Sequence, residues 1–171
     1  MIVAFDNKSK LLDVMALCAC PQKKLDFAFE FAPDTAWLNL TPYQWKGDGL
    51  AKLEAKAEGE GVTLSGQITI PTEFVCSKCG ESFEQNLFIE VNETLTESQD
   101  DEHFKIVADK VDLAQMVSEL VALNIPTKVL CRPNCLGVCP NCGTNLNEST
   151  CDCEKKLESN NPFAKLKGKF N

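Results

Sequence analysis

The sequence predicts an α+β fold: a predominantly antiparallel β-region with one main helix and a C-terminal cysteine-rich, zinc-bound segment. Three observations carry that expectation. Large apolar side chains occupy every second position at Leu25, Phe27, Phe29 and Phe31, and β-branched residues alternate over 62–70, both with the period of a half-buried strand. One stretch, with Leu113, Met116, Val117, Leu120 and Val121, carries helical spacing instead. Eight of the ten cysteines then fall in close pairs: Cys76 with Cys79, Cys131 with Cys135, Cys139 with Cys142, and Cys151 with Cys153.

Taken in order, residues 11–17 are apolar enough for about two helical turns, and residues 25–31 form the clearest strand. Residues 50–58 alternate again, although Ala, Lys, Leu and Glu also suit a helix. Gly59, Glu60 and Gly61 supply a turn, so a hairpin of 50–58 with 62–70 follows, ending at Pro71. Strand-like runs at 73–75 and 83–91 flank the first cysteine pair, which suggests a metal-pinned hairpin.

Residues 93–105, with five carboxylates among Thr, Ser and Gln, read as a loop because they bury too little apolar area to order themselves. Asp112 with Gln115 three residues later reads as a capping box, opening a helix that runs to about Asn124 before Pro126 and lays its apolar face on the sheet. Core packing explains that stripe without a cofactor. Residues 131–153 are rich in Cys, Pro, Asn and Gly with little to bury, so metal must organise them. The expected division is a core of 1–130 that includes the first knuckle, a zinc-binding segment of 131–153 stapled to it, and a basic, flexible tail of 154–171.

Composition bounds the function. With 171 residues and 44% apolar content, the chain can bury a core. No apolar run approaches the roughly 20 residues that cross a bilayer, and Asp6, Lys8, Lys10 and Asp13 interrupt any signal-peptide core, so a cytoplasmic protein with no membrane partner is expected. Cys18 and Cys20 loosely resemble a lipid-attachment box, but the polar residues upstream favour two small residues near the start of the fold. In a reducing compartment, clustered cysteines are held by metal rather than paired as disulfides. The net charge of −8 repels bare RNA, and the late lysines Lys155, Lys156, Lys165, Lys167 and Lys169 read as a solvated tail.

The eight clustered cysteines are the candidate metal ligands, enough for two tetrahedral Zn2+ sites. Gly80 and Gly143 follow the two CxxC pairs, where a zinc knuckle needs a residue free of Cβ strain. Two partitions are open. In one, Cys76, Cys79, Cys131 and Cys135 share an ion while Cys139, Cys142, Cys151 and Cys153 share the other. In the second, the two CxxC pairs combine as a zinc ribbon. The first is preferred because its second site closes a short loop at lower entropic cost. Either way, the first pair needs partners from beyond residue 131, so zinc closes the fold.

Four thiolates saturate zinc and leave no position for substrate or activated water. The one histidine, His103, lies in the acidic segment away from any candidate nucleophile, and no phosphate-binding glycine loop is present, so no enzyme is expected. A redox-regulated zinc-thiolate chaperone, or holdase, is the alternative, although its usual order of CxC before CxxC is reversed here.

The ordered set of residues resembles the YceD family, the large ribosomal RNA subunit accumulation proteins. The resemblance lies in Phe74, Val75, Cys76, Ser77, Lys78 and Cys79, then in Asp112-Leu113 and Leu123-Asn124-Ile125-Pro126. It continues through Leu130-Cys131, Cys135 to Asn147, Cys151-Asp152-Cys153 and finally Asn161-Pro162-Phe163-Ala164-Lys165-Leu166. It implies a non-catalytic ribosome-biogenesis factor that supports accumulation of large-subunit, 23S-type rRNA. Only the cysteines carry over as site residues, as zinc ligands. Cys18 and Cys20 match nothing in the pattern. For an acidic protein, a basic ribosomal protein or an assembly factor is a better partner than rRNA itself.

Overall fold

The computed structural model describes residues 4–19, 22, 24–34, 43–58, 61–96, 104 and 106–153. Alternation does most of the work. In strand order the chain forms β1 (Phe5–Asp6), β2 (Leu11–Asp13), helix α1 (Val14–Cys18), β3 (Lys24–Phe31), β4 (Gln44–Trp45), β5 (Gly49–Glu58), β6 (Gly61–Val75), β7 (Ser82–Leu95), β8 (Lys110–Asp112) and helix α2 (Leu113–Asn124). The result is a mostly antiparallel β-fold with one main helix, followed by the cysteine-rich region.

The larger sheet runs β3-β5-β6-β4, with β7 also paired to β6. Register explains its two faces. Phe27 stands opposite Leu53 and Phe29 opposite Ala51, while Leu53 faces Gly66, Ala51 faces Ile68 and Ala55 faces Leu64. These residues share one side, and Phe29, Ala51, Leu53, Ala55, Leu64 and Ile68 are buried there. Asp26, Lys52, Glu54 and Ser65 fall on the opposite side with their polar groups in water, and Lys24 bridges to Glu54 at 2.7 Å. Residues 50–58 are therefore strand, because pairing on both edges outweighs their helical propensity.

The strand expected to stop at Pro71 continues to Val75. Pro71 lies between the last pair with β5, Leu50 and Thr69, and the first with β4, Trp45 and Thr72. Its missing N–H is not needed there, and its carbonyl accepts from the N–H of Lys46 at 2.9 Å. Thr72, 1% exposed, satisfies its hydroxyl on the carbonyl of Ile70 at 3.0 Å.

The expected two-turn helix at 11–17 is corrected: Leu11–Asp13 is β2, and only Val14–Cys18 is helical. Leu11, Leu12 and Asp13 pair with Asp112, Val111 and Lys110, and Leu12 is fully buried in a three-stranded sheet ordered β1-β2-β8. Asp13 then caps α1, its carboxylate accepting from the N–H of Ala16 at 2.8 Å. The loop expected over 93–105 starts later, since β7 continues to Leu95, whose side chain is fully buried. Most of that segment, including His103, lies outside the described residues, as do Cys20, the 154–171 tail and its Asn161-Pro162-Phe163 motif.

Helix α2 has the expected bounds, with Leu113, Met116, Val117, Leu120 and Val121 buried. Asp112 accepts from the N–H groups of Ala114 and Gln115, each at 3.0 Å. The reciprocal half of the capping box is absent, because the Gln115 amide donates to Glu119 at 2.9 Å instead. Asn124 closes the other end by donating to the carbonyl of Leu120, and Tyr43, buried against Phe74, donates to the carbonyl of Pro126. No helix among the described residues is long and apolar enough to cross a membrane.

Contacts divide the chain into two units. The first holds Phe74 and the described residues before it, together with Phe83–Thr127; the second holds Val75–Ser82 together with the described residues from Lys128 onward.

Candidate metal centre

The second unit is built from two copies of one turn. In the first, the N–H of Cys76 donates to the carbonyl of Glu81 and the N–H of Gly80 donates back to Cys76, both at 2.9 Å. In the other, the N–H of Cys139 donates to Thr144 at 2.8 Å and that of Gly143 to Cys139 at 2.9 Å. The donor and acceptor offsets are identical. Gly80 and Gly143 sit at φ of +76° and +75°, a left-handed conformation in which any other residue would strain its Cβ. The glycine signal read from the sequence therefore has a backbone cause.

Each turn presents two thiols, and neighbouring chain supplies two more. Cys76, Cys79, Cys131 and Cys135 converge in one group, and Cys139, Cys142, Cys151 and Cys153 in another, with all sulfurs of a group within 4.8 Å of one another. This is the grouping preferred from loop closure, and the ribbon pairing of the two CxxC turns is not what the fold brings together. Cys76 and Cys135 sulfurs are 3.7 Å apart, as are those of Cys79 and Cys131. Four sulfurs at about 2.3 Å from a central zinc stand about 3.8 Å apart along a tetrahedral edge, whereas a disulfide needs about 2.05 Å. All nine described cysteines are free thiols. Cys18 is among them, exposed and part of neither group.

The electrostatics of the thiols fit a cation. Burial opposes charge on Cys76, yet N–H groups of Cys131, Cys79 and Lys78 bring its thiol down to about 6. The hydroxyl and N–H of Thr144 do the same for Cys142, also to about 6. Burial and three neighbouring sulfurs push Cys131 up to about 12, and the hydrogen bond with Cys142 leads the causes that raise Cys153 to about 12. Each tetrad thus holds at least one thiol that ionises readily, Cys76 and Cys135 in the first and Cys142 in the second, beside others that resist adding further negative charge. A divalent ion removes that resistance, because coordination deprotonates thiols outright. Both donor sets could hold a metal ion.

Supporting contacts went unread in the sequence. Asn147 donates to the sulfur of Cys135 at 3.4 Å and accepts from the N–H of Leu136 at 2.9 Å, so a residue inside the second tetrad's segment orients a ligand of the first. Thr144 lies 3.1 Å from the sulfur of Cys142. Lys78 donates to the carbonyl of Cys135 at 3.1 Å and accepts at its own carbonyl from Val138, also at 3.1 Å. Ser77 donates its N–H to Val129 and accepts from the N–H of Val129 on its hydroxyl. The repeat of asparagines at 145 and 147 beside a cysteine turn is the one signal that pointed there.

With four sulfurs per group and no mixed donor set, the arrangement suits closed, structural coordination.

The family model described as "Large ribosomal RNA subunit accumulation protein YceD" matches residues 64–168. Among curated proteins, an uncharacterized protein of Mycobacterium tuberculosis (strain H37Rv) is 29% identical over 102 residues, covering 55% of this chain and 49% of the relative. A protein of Arabidopsis thaliana named as a chloroplastic large ribosomal RNA subunit accumulation protein, YCED homolog 1, is 26% identical over 140 residues, 61% of this chain and 44% of its own. A Zea mays protein of the same name is 34% identical over 68 residues, 40% of this chain and 23% of its own. The chain spans about half the length of the first of these relatives. No solved structure matches.

Proposed function

Because this chain belongs to the YceD family, we propose that it supports accumulation of large-subunit, 23S-type rRNA as a non-catalytic, cytoplasmic assembly factor stabilised by two structural Zn2+ ions. The observation that carries the reading is the reach of the family match. Residues 64–168 take in β7, the capped helix α2 and all eight clustered cysteines. Cys76, Cys79, Cys131 and Cys135 hold one ion, and Cys139, Cys142, Cys151 and Cys153 hold the other. All-thiolate sites of this kind contribute folding energy and leave no place for a substrate, which supports a binding role.

Its partners are basic ribosomal proteins or other assembly factors, since a net charge of −8 attracts the former and repels phosphate. Depletion should lower 23S-type rRNA selectively, and the protein should comigrate with large-subunit precursors. Unchanged rRNA with no precursor association overturns the role. Pull-down with and without RNase assigns the contact: capture that survives RNase supports a protein partner, and capture lost to RNase replaces it with rRNA.

One observation favours a second reading, a redox-regulated holdase. Cys142 and Cys153 are exposed, within reach of an oxidant. That reading requires metal loss and a gain of anti-aggregation activity on mild peroxide treatment, both measurable by native mass spectrometry and a client aggregation assay.

A further inference from the structure

Among the described residues, one edge of β7 has no partner strand. The strand is 14 residues long and pairs with β6, and no other described strand pairs with it. Long open edges are usually blunted by lysine, proline or a bulge, because a row of free N–H and C=O groups templates further pairing. β7 contains no lysine and no proline. Its inner side buries Leu87, Ile89, Val91 and Leu95, while Glu84, Asn86, Phe88, Glu90, Asn92 and Thr94 alternate outward and are exposed. Phe88 is 56% exposed, a large aromatic ring in the middle of a polar row.

The charge of this region is one-sided. From Gly80 to Phe104 the sequence holds eight carboxylates and no lysine or arginine. Lys46, which pairs with Glu73, also feels Glu84. The edge at the opposite end of the sheet, β3, differs: it is eight residues long, carries Lys24, and has the ring of Phe5 stacked on Phe27 at 4.5 Å.

We propose that the outer edge of β7 receives an extended, lysine- and arginine-rich segment of a partner protein by strand addition, with a cationic side chain over Phe88. Backbone hydrogen bonds along the open edge supply the affinity, and the carboxylates select the occupant. A second copy of β7 is rejected by like charge, and so is the phosphate backbone of RNA. An exposed phenyl ring with Glu90 beside it, and Glu84 beyond Asn86 on the same face, attracts a cation and its aliphatic stem. The proposal rests on the reading that this protein meets basic ribosomal partners, and it locates where.

The probe is a fluorescent, extended peptide of about 12 residues alternating lysine with threonine and valine, applied to the full metal-loaded chain. Its glutamate-for-lysine counterpart and a single-stranded oligouridine serve as competitors. The lysine peptide should bind and slow amide exchange within 83–95. The double variant Glu84→Lys with Glu90→Lys should weaken binding by at least about tenfold, with metal content and melting unchanged. Phe88→Ala should weaken it by about fivefold.

Protection elsewhere, equal binding of the glutamate peptide, protection of β7 by oligouridine or by self-association, or full binding by the charge-reversed variant overturns the proposal. Complementation of depleted cells separates this from the family role. Wild type restoring rRNA while the charge-reversed variant does not supports the edge. Restoration by both overturns it and leaves the family role standing. No rRNA defect on depletion removes the family role, and the peptide result still decides the edge.

Discussion

The two cysteine tetrads are built on the same turn yet differ in what they hold. The first joins sulfurs 52 and 59 residues apart in sequence, and Cys76 and Cys135 are only 2% and 3% exposed. The second gathers all four thiols between Cys139 and Cys153, with Cys142 and Cys153 exposed to water. Chain entropy separates them little, since closing the longer loop costs only about 1 kcal/mol more by the logarithmic law. Burial and reach separate them instead. A metal in the first tetrad ties a β-hairpin tip to a distant segment, whereas a metal in the second orders a short local segment that reaches the first through Asn147.

The largest effect should come from Cys135→Ser. A structural zinc is worth ~10–16 kcal/mol, as much as a whole domain's ~5–15 kcal/mol, so the variant should lose one ion and the native fold of the second unit together. Native mass spectrometry and amide resonance dispersion read both. Cys142→Ser should also lose one ion, but its resonance changes should centre on residues 135–153, with the first tetrad still loaded. Changes spread over both tetrads would show that they are one cooperative site.

A chromogenic chelator added to the wild type should release metal in two phases, the exposed tetrad at least about tenfold faster, because ligand exchange needs an open route to sulfur. A single phase removes the distinction. Asn147→Ala should lower metal affinity at the first tetrad about tenfold although residue 147 belongs to the second tetrad's segment, since loss of an outer contact to a ligand typically costs 10–100-fold. Gly80→Ala and Gly143→Ala should each destabilise by about 1 kcal/mol through left-handed backbone strain. In thermal melts the first should shift the global transition, while the second leaves it in place and lowers only local protection.

Much of this was readable before the fold was known. The odd-numbered phenylalanines of β3 face the core because period-2 alternation has one buried side. Asp112 caps α2 through a local bond that sequence encodes directly. Cysteine spacing leaves two partitions open, and loop length favours the one whose sulfurs come together. What escaped depended on distant partners. Leu11 and Leu12 became strand because Lys110–Asp112 lies beside them, and Glu93 joined β7 because its neighbours Val91 and Leu95 are buried. Asn147 meets Cys135 only through the folded turn between them.

The span of the first tetrad also has a consequence in time. During synthesis at roughly 5–20 residues per second, Cys76 and Cys79 are made about 3–10 seconds before Cys131 and Cys135. For that interval the hairpin tip carries two thiols with no second pair to complete a site. A nascent chain interrupted before residue 135 can never close it. Closure of this tetrad therefore has to wait until translation has passed through the helix.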